Sequence, residues 1–525
     1  MRKADFKEKE IDNHLRIIAK TSFFVFILMV LSKILGYVYR ILIAKYFGPE
    51  SYGIFTISLI LFSFIASVAS FQLGNGLLRY IPLLRAKNKT REINSLLGYT
   101  LRILIISGLV FTILLIAFSK DISILIFHEP KLTDSLRIIG FFIIFALLSD
   151  FFLGILRGYE KIYSFSFIFN IVLNVARIII LILFIIIDEG KNTNLIVISY
   201  ATGFIFSMTS AYIVIKKKIK TISFKEEIKC EELKKQLISY SWPLILYGII
   251  SLIFYWIDSL SLGFYKSSFA VGLYNAAVPI ATLLLIIPEI FMQLFQPMIN
   301  KEYSKGNKEV IKQISKQVTK WIFIISFPIF ILIFLFPGAA INFLFGPQYL
   351  PAENSLRVLL VGTFILTLFS VCTNLISMRG KSKLLLVDIS LASGLNIILN
   401  SLLIPMPKIL WLENSNGLNG AAFATMISII FLNSLFLIQI KKDLGFFPLR
   451  RKIIRIVLIS IIPIVILFYL KEIIEINTIS VVILSAFFFL TYLFLMIISG
   501  SFDKNDCIII KSVMKKIREF NHKTN

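Results

Sequence analysis

The chain has 525 residues, 57% of them apolar and only 16% charged, with a mean hydropathy of +0.86 and a net charge of +25. A soluble protein of this length carries about a quarter of its residues as charged surface, so a water-soluble globular fold is excluded. The basic excess is dispersed over short connections beside apolar stretches, where it suits anionic lipid headgroups, and no nucleic-acid-binding fold is left once those stretches are assigned.

The first twenty residues, 1–20, are charged and include Asp5, Glu8 and Glu10. They lead into a full-length apolar stretch and read as a cytoplasmic segment, not a cleaved signal peptide. Apolar stretches then recur at 21–45, 52–76, 95–118, 137–157, 163–187, 194–215 and 240–262. They continue at 272–296, 319–337, 355–378, 384–405, 417–440, 453–470 and 478–499. Each is long enough to cross a hydrocarbon core at 1.5 Å per residue, and backbone polar groups in lipid must be satisfied within the segment. The expected fold class is all-α integral membrane, with about fourteen transmembrane helices.

Lysine and arginine alternate between the connections. The N-terminus, 79–102, 216–235, Lys301–Lys320, Arg379–Lys383, Lys441–Arg455 and the C-terminal tail fall on one side and hold about 43 of the 55 basic residues, against about nine opposite. That is the positive-inside pattern of a multi-pass plasma-membrane protein with both termini cytoplasmic.

The chain also resembles itself. Ser22–Phe55 aligns with Ser241–Tyr274 at a shift of 219, placing Tyr46 on Tyr265, Gly53 on Gly272 and Phe55 on Tyr274. Ser135-Leu136-Arg137 matches Ser355-Leu356-Arg357 at 220, and Arg157-Gly158 matches Arg379-Gly380 at 222, as Leu173-Asn174 matches Leu395-Asn396. Small loop insertions explain the slow drift. Six spans separate the copies, so they run parallel, and two six-helix bundles around a central cavity with alternating access are expected. The segments are a cytoplasmic N-terminal piece (1–20), a first bundle (21–215), an amphipathic linker (216–239), a second bundle (240–440), two additional helices (441–500) and a cytoplasmic tail (501–525).

These features resemble the multidrug/oligosaccharidyl-lipid/polysaccharide (MOP) flippase superfamily, and within it the polysaccharide biosynthesis, O-antigen-type flippases. The resemblance is carried by Leu31-Ser-Lys-Ile-Leu-Gly-Tyr37, Tyr46-Phe-Gly-Pro-Glu-Ser-Tyr-Gly53 and Leu156-Arg-Gly-Tyr-Glu-Lys-Ile-Tyr163, and by Gly272-Leu-Tyr-Asn-Ala-Ala277 leading to Gln296-Pro297. It implies a transporter, not an enzyme, that flips polyprenyl-(pyro)phosphate-linked oligosaccharide from the cytoplasmic to the outer leaflet. The partners implied are that lipid-linked substrate, membrane lipids and glycan assembly enzymes, around a monomeric chain without cofactor. An ion-coupled multidrug exporter of the same superfamily is the alternative. It is disfavoured by the basic first span and by the extra helix pair.

Ionisable side chains inside spans are expensive unless they meet water or a partner, so they are the candidates for function. Lys33 and Arg40 lie two turns apart on one face of the first span. Arg177 follows Asn170 and Asn174 by seven and three residues, again on one face. A cationic face with amide donors suits a phosphate-bearing sugar headgroup. The opposing reading is that Lys33 or Arg40 pairs with Asp150 or Asp258. The acidic set, Asp150, Asp258, Glu289 and Asp388, holds the candidates for charge pairing or for coupling to H⁺ or Na⁺. Asp388 near a span end and Glu289 behind Pro288 also fit boundary or kink roles. No metal site is expected from Cys230, Cys372 and Cys507, which are far apart in sequence, nor from three histidines outside the spans.

Overall fold

The computed structural model describes residues 2–187, 192–219, 221–224, 231–414, 416–474 and 477–500, with side chains from residue 24 onward. The predicted tail, 501–525, and residues 225–230 of the predicted linker lie outside the described residues. Among the described residues the chain is almost wholly helical, and twelve helices, or thirteen with one bent pair, are long and apolar enough to cross a membrane. Side chains such as Ile113, Ile187 and Leu490 stand exposed on these helices, as lipid-facing residues do.

The first helix, α1 (Arg2–Ala69), contains an apolar stretch of 46 residues from Phe24. At 1.5 Å per residue this runs to about 70 Å, more than two hydrocarbon thicknesses. Gly48 (φ 84°, ψ 177°) interrupts it. That backbone conformation is open essentially to glycine alone, and Pro49 behind it has no N–H to continue the ladder. The break falls between the predicted spans 21–45 and 52–76.

The rest of the first copy comprises α2 (Leu73–Ala86), α3 (Thr90–Asp121), α4 (Leu132–Phe141), α5 (Ile143–Gly158), α6 (Ile162–Phe167), α7 (Leu173–Ile187) and α8 (Thr193–Lys218). The helices α4 and α5 form the bent pair. A π-helical turn, Ile168–Val172, separates α6 from α7 inside one span. The second copy opens with α9 (Glu231–Tyr265) and α10 (Ser268–Thr282), then a 3₁₀ turn and α11 (Ile286–Ser304). It continues through α12 (Lys308–Leu335), α13 (Pro337–Leu344), α14 (Glu353–Leu368), α15 (Ser370–Met378), α16 (Ser382–Leu403) and α17 (Leu418–Leu444). The added pair is α18 (Lys452–Ile473) and α19 (Thr478–Ile498). A two-residue hairpin, β1 (Lys408–Ile409) with β2 (Leu412–Glu413), sits between α16 and α17. Asn414 anchors it by donating to the carbonyls of Leu403 and Met406.

The chain forms two compact units. One comprises Met1–Ala276 with Ser393–Ala424, and the other Ala277–Ala392 with Thr425–Asn525. In the first unit, α2, α3, α5 and α8 enclose a core that includes Leu77, Leu97, Phe151 and Ile215. In the second, α18 and α19 dock on α12 through Phe323, Phe327, Ile456 and Tyr492, and the Tyr492 hydroxyl donates to the Ile324 carbonyl (3.1 Å).

The first unit also holds a backbone-to-backbone crossing of α1 and α10. A Cβ on Gly53 would run into the carbonyl of Ser268, and a Cβ on Gly272 into the carbonyl of Pro49. Pro49 and Ser268 are equivalent at the shift of 219, as are Gly53 and Gly272. The copies therefore touch at matching positions, as a local two-fold axis requires. Tyr52 ties the same crossing by donating to the Asn275 carbonyl (3.2 Å).

Candidate functional site

The cations of the first copy gather around an aromatic cluster between α1, α7 and α8. Arg177 is buried, and its Nε donates to the Tyr200 carbonyl at 3.0 Å. Its guanidinium carbon lies 3.6 Å from the Tyr200 ring centroid and 4.9 Å from that of Phe204. Contacts of this kind, away from water, hold a guanidinium by about 2 kcal/mol. Gly203 makes room, since a Cβ there would lie 2.7 Å from the Arg177 side chain. Arg40 is half-buried, bonds Tyr52, and feels Tyr37, Tyr200 and Tyr255. Among the described residues neither Arg40 nor Arg177 forms an ion pair with a carboxylate. Tyr39, one position before Arg40, is buried and shares a hydrogen bond with Ser199 (2.8 Å).

The amides of this helix separate. Asn174 donates to Ser32 on α1 (3.0 Å) and to the carbonyl of Asn170 (2.9 Å), whereas Asn170 donates to the Ser166 carbonyl (2.9 Å). The π turn that contains Asn170 adds a residue to the helical phase. Both Asn174 and Arg177 follow that turn in α7; Asn174 faces α1, where Ser32 precedes the half-buried Lys33, while Arg177 faces α8.

In the second copy Asp258 of α9 is buried. It accepts from Tyr274 of α10 (2.8 Å) and from Asn400 (2.8 Å) and Asn396 (3.3 Å) of α16. The Asn400 Nδ2 also donates to both oxygens of Asn396, at 3.0 Å each. Its own Oδ1 is buried with no hydrogen-bond partner. A carboxylate beside amide oxygens, one of them unspent, is a donor set for a proton or a hard monovalent cation.

The remaining acids are scattered. Asp150 is exposed, its carboxylate resting over Gly74, where a Cβ would come within 2.6 Å of Oδ2. Asp388 is buried in the second unit, and Gln439 of α17 donates to both its oxygens (3.0 and 2.8 Å). Glu289 is half-buried in the first turn of α11. Among the described residues no three His, Cys, Asp or Glu side chains come together as a metal site. Sequence reasoning missed Tyr200, Tyr274 and Asn400. Asn396 and Tyr274 left a signal, through their repeat matches to Asn174 and Phe55, but neither was given a role at the site.

The family model described as polysaccharide biosynthesis protein matches residues 18–302, more than half of the chain, and the MatE model matches residues 243–402. An uncharacterized membrane protein of Methanocaldococcus jannaschii is 25% identical over 452 residues, covering 84% of this chain and 87% of its own. Among solved structures, the lipid II flippase MurJ in an inward closed conformation superposes with a TM-score of 0.69 at 18% identity, over 90% of this chain and 97% of its own. An inward-facing multidrug resistance MATE family transporter of the MOP superfamily gives 0.66 at 14% identity, over 79% and 95%. Both similarities are of fold.

Proposed function

The chain belongs to the polysaccharide biosynthesis protein family, and on that premise we propose that it flips polyprenyl-(pyro)phosphate-linked oligosaccharide from the cytoplasmic to the outer leaflet of the plasma membrane. One observation carries this reading. Arg40 and Arg177 sit inside spans among tyrosines and carbonyls, and among the described residues no carboxylate pairs with either. Two uncompensated cations in a low-dielectric setting attract a phosphate strongly, and arginine offers it a planar, bidentate fork. A cationic drug would be repelled by the same pair. The fold similarity to MurJ and to MATE transporters supports membrane transport by alternating access between the two copies, and the alternation of basic residues supports cytoplasmic termini.

The Asp258 cluster supplies the driving ion on this reading. A proton or Na⁺ on the carboxylate, with the Asn400 Oδ1 as a further ligand, changes the charge of one copy while the substrate changes that of the other.

Lys33→Ala and Arg177→Ala are each expected to abolish export of the surface glycan while the protein still reaches the membrane. Arg177→Lys keeps the charge but loses the stacked fork, and should export in part. Normal glycan export by both alanine variants, or drug resistance on expression with no glycan phenotype, would replace this reading with the exporter one.

A further inference from the structure

The helix α11 continues a membrane span and carries a polar, uncharged face from the end of that span onward. Gln293, Gln296, Asn300 and Tyr303 follow one another at spacings of three and four, so they share one side of the helix. All four are exposed. Phe295 and Ile299, on one flank of this side, are buried. The neighbouring helix α15, packed against α11, carries Thr373 (exposed) and Ser377 (half-buried) on one face of its own. Gln296, Asn300, Tyr303 and Ser377 line a common cleft of ≈ 200 Å³ in the second unit.

Two properties set this face apart from an ordinary solvated surface. Solvated stretches in this chain are charged, as in Lys301, Lys305 and Lys308 just beside it, whereas from Gln293 to Tyr303 the stripe itself holds no charge. Its exposed amides are also left by the protein for a partner from outside. Among the described residues the amides of Gln293, Gln296 and Asn300 enter no hydrogen bond.

A carboxamide donates through N–H and accepts through C=O, the same two roles that a sugar hydroxyl plays in return. Aligned amides and hydroxyls with one aromatic ring, and no cation, match a polyhydroxyl ligand and not a phosphate. We propose that this face of α11, with Thr373 and Ser377 of α15, binds the glycan portion of the transported lipid. The inference rests on the flippase reading above.

The test uses the full-length protein in nanodiscs and two kinds of probe. One is a short-chain polyprenyl phosphate, and the other is the same lipid bearing a hexose or an N-acetylhexosamine. The parent protein should bind at least one sugar-bearing lipid about tenfold more tightly than the bare one, the scale of a few paired hydrogen bonds. The double variant Gln296→Leu/Asn300→Leu, similar in volume, should lose that margin and keep its affinity for the bare lipid. Gln296→Ala with Asn300→Ala repeats the measurement if the leucine variant unfolds. A margin that survives both double variants, an equal fall for bare and glycosylated lipids, or no margin in the parent for any sugar overturns the glycan site. Failure of the parent to bind either kind of lipid overturns the flippase reading instead, and the glycan site with it.

Discussion

The two copies of the repeat place different chemistry on equivalent backbone positions. Tyr39 and Asp258 correspond at a shift of 219, yet one is a phenol bonded to Ser199 and the other a carboxylate held by Tyr274, Asn396 and Asn400. Asn174 and Asn396 correspond at 222, but Asn174 turns to Ser32 and Asn396 to the acid. At the same shift the place of Arg177 falls to Leu399. The second helix of each copy divides likewise. Gln293, Gln296, Asn300 and Tyr303 take the positions of Gly74, Leu77, Ile81 and Leu84, all four buried in the first unit. Duplication thus preserves the frame, while the polar groups on it differ from copy to copy. A fixed guanidinium suits an anion that arrives with the substrate, and a carboxylate with a spare amide oxygen suits a small cation.

The shared frame can be broken where the copies touch. Gly53→Val and Gly272→Ala each push a side chain into a carbonyl of the partner helix, where backbone cannot yield as a flexible side chain would. Overpacking of this kind is expected to cost about 3 kcal/mol or more. Size-exclusion profiles and thermal unfolding in detergent report it. A variant at Gly53 as stable as the parent would mean that the crossing opens without penalty, and that the local two-fold contact is incidental.

The division of chemistry is sharpened by exchanging its equivalent members. Asp258→Asn should reduce ion-driven transport by about tenfold or more, the range of a typical coupling energy, with little change in stability. Tyr39→Phe removes a neutral hydrogen bond and should cost about 1 kcal/mol in stability while transport persists. Transport by reconstituted vesicles under an imposed H⁺ or Na⁺ gradient, read beside thermal unfolding, separates the two outcomes. Equal losses of transport in both variants would erase the distinction between the copies.

Much of this frame was legible in the sequence, because span length, basic-residue alternation and the matched Gly, Arg-Gly and Asn positions are carried by spacing alone. The shift of 219 made Gly53 and Gly272 equivalent, but that their helices cross there was not in the spacing. The partners of the charges were harder to read. Tyr200 is one aromatic residue among many in an apolar span, and its role exists only once Arg177 folds onto it. Asn400 lies one turn beyond Asn396 but gains meaning through Asp258, which is 142 residues away. The π turn at Ile168–Val172 has no sequence signal of its own, and it shifts the phase of Asn170 relative to Asn174 and Arg177, which both follow it. The α11 stripe was present in the sequence at its three-and-four spacing, hidden because it runs across the end of the predicted span 272–296.

The smallest expected effect comes from the other buried acid, and it tests whether burial alone marks a coupling site. Asp258 and Asp388 are both buried carboxylates, but their surroundings differ. Asp388 spans one gap between α16 and α17, with a single Gln439 amide nitrogen serving both its oxygens. The Gln439 Oε1 is buried with no partner. In Asp388→Asn the new carboxamide still accepts from the Gln439 nitrogen and brings a donor for that idle oxygen. It also removes the cost of a charge kept from water. The substitution should therefore leave transport unchanged and raise stability by up to about 1 kcal/mol, measured by thermal unfolding at neutral pH. A tenfold loss of transport in Asp388→Asn would instead put a second coupling group in the second copy, and the contrast would then lie between copies as wholes and not between Tyr39 and Asp258.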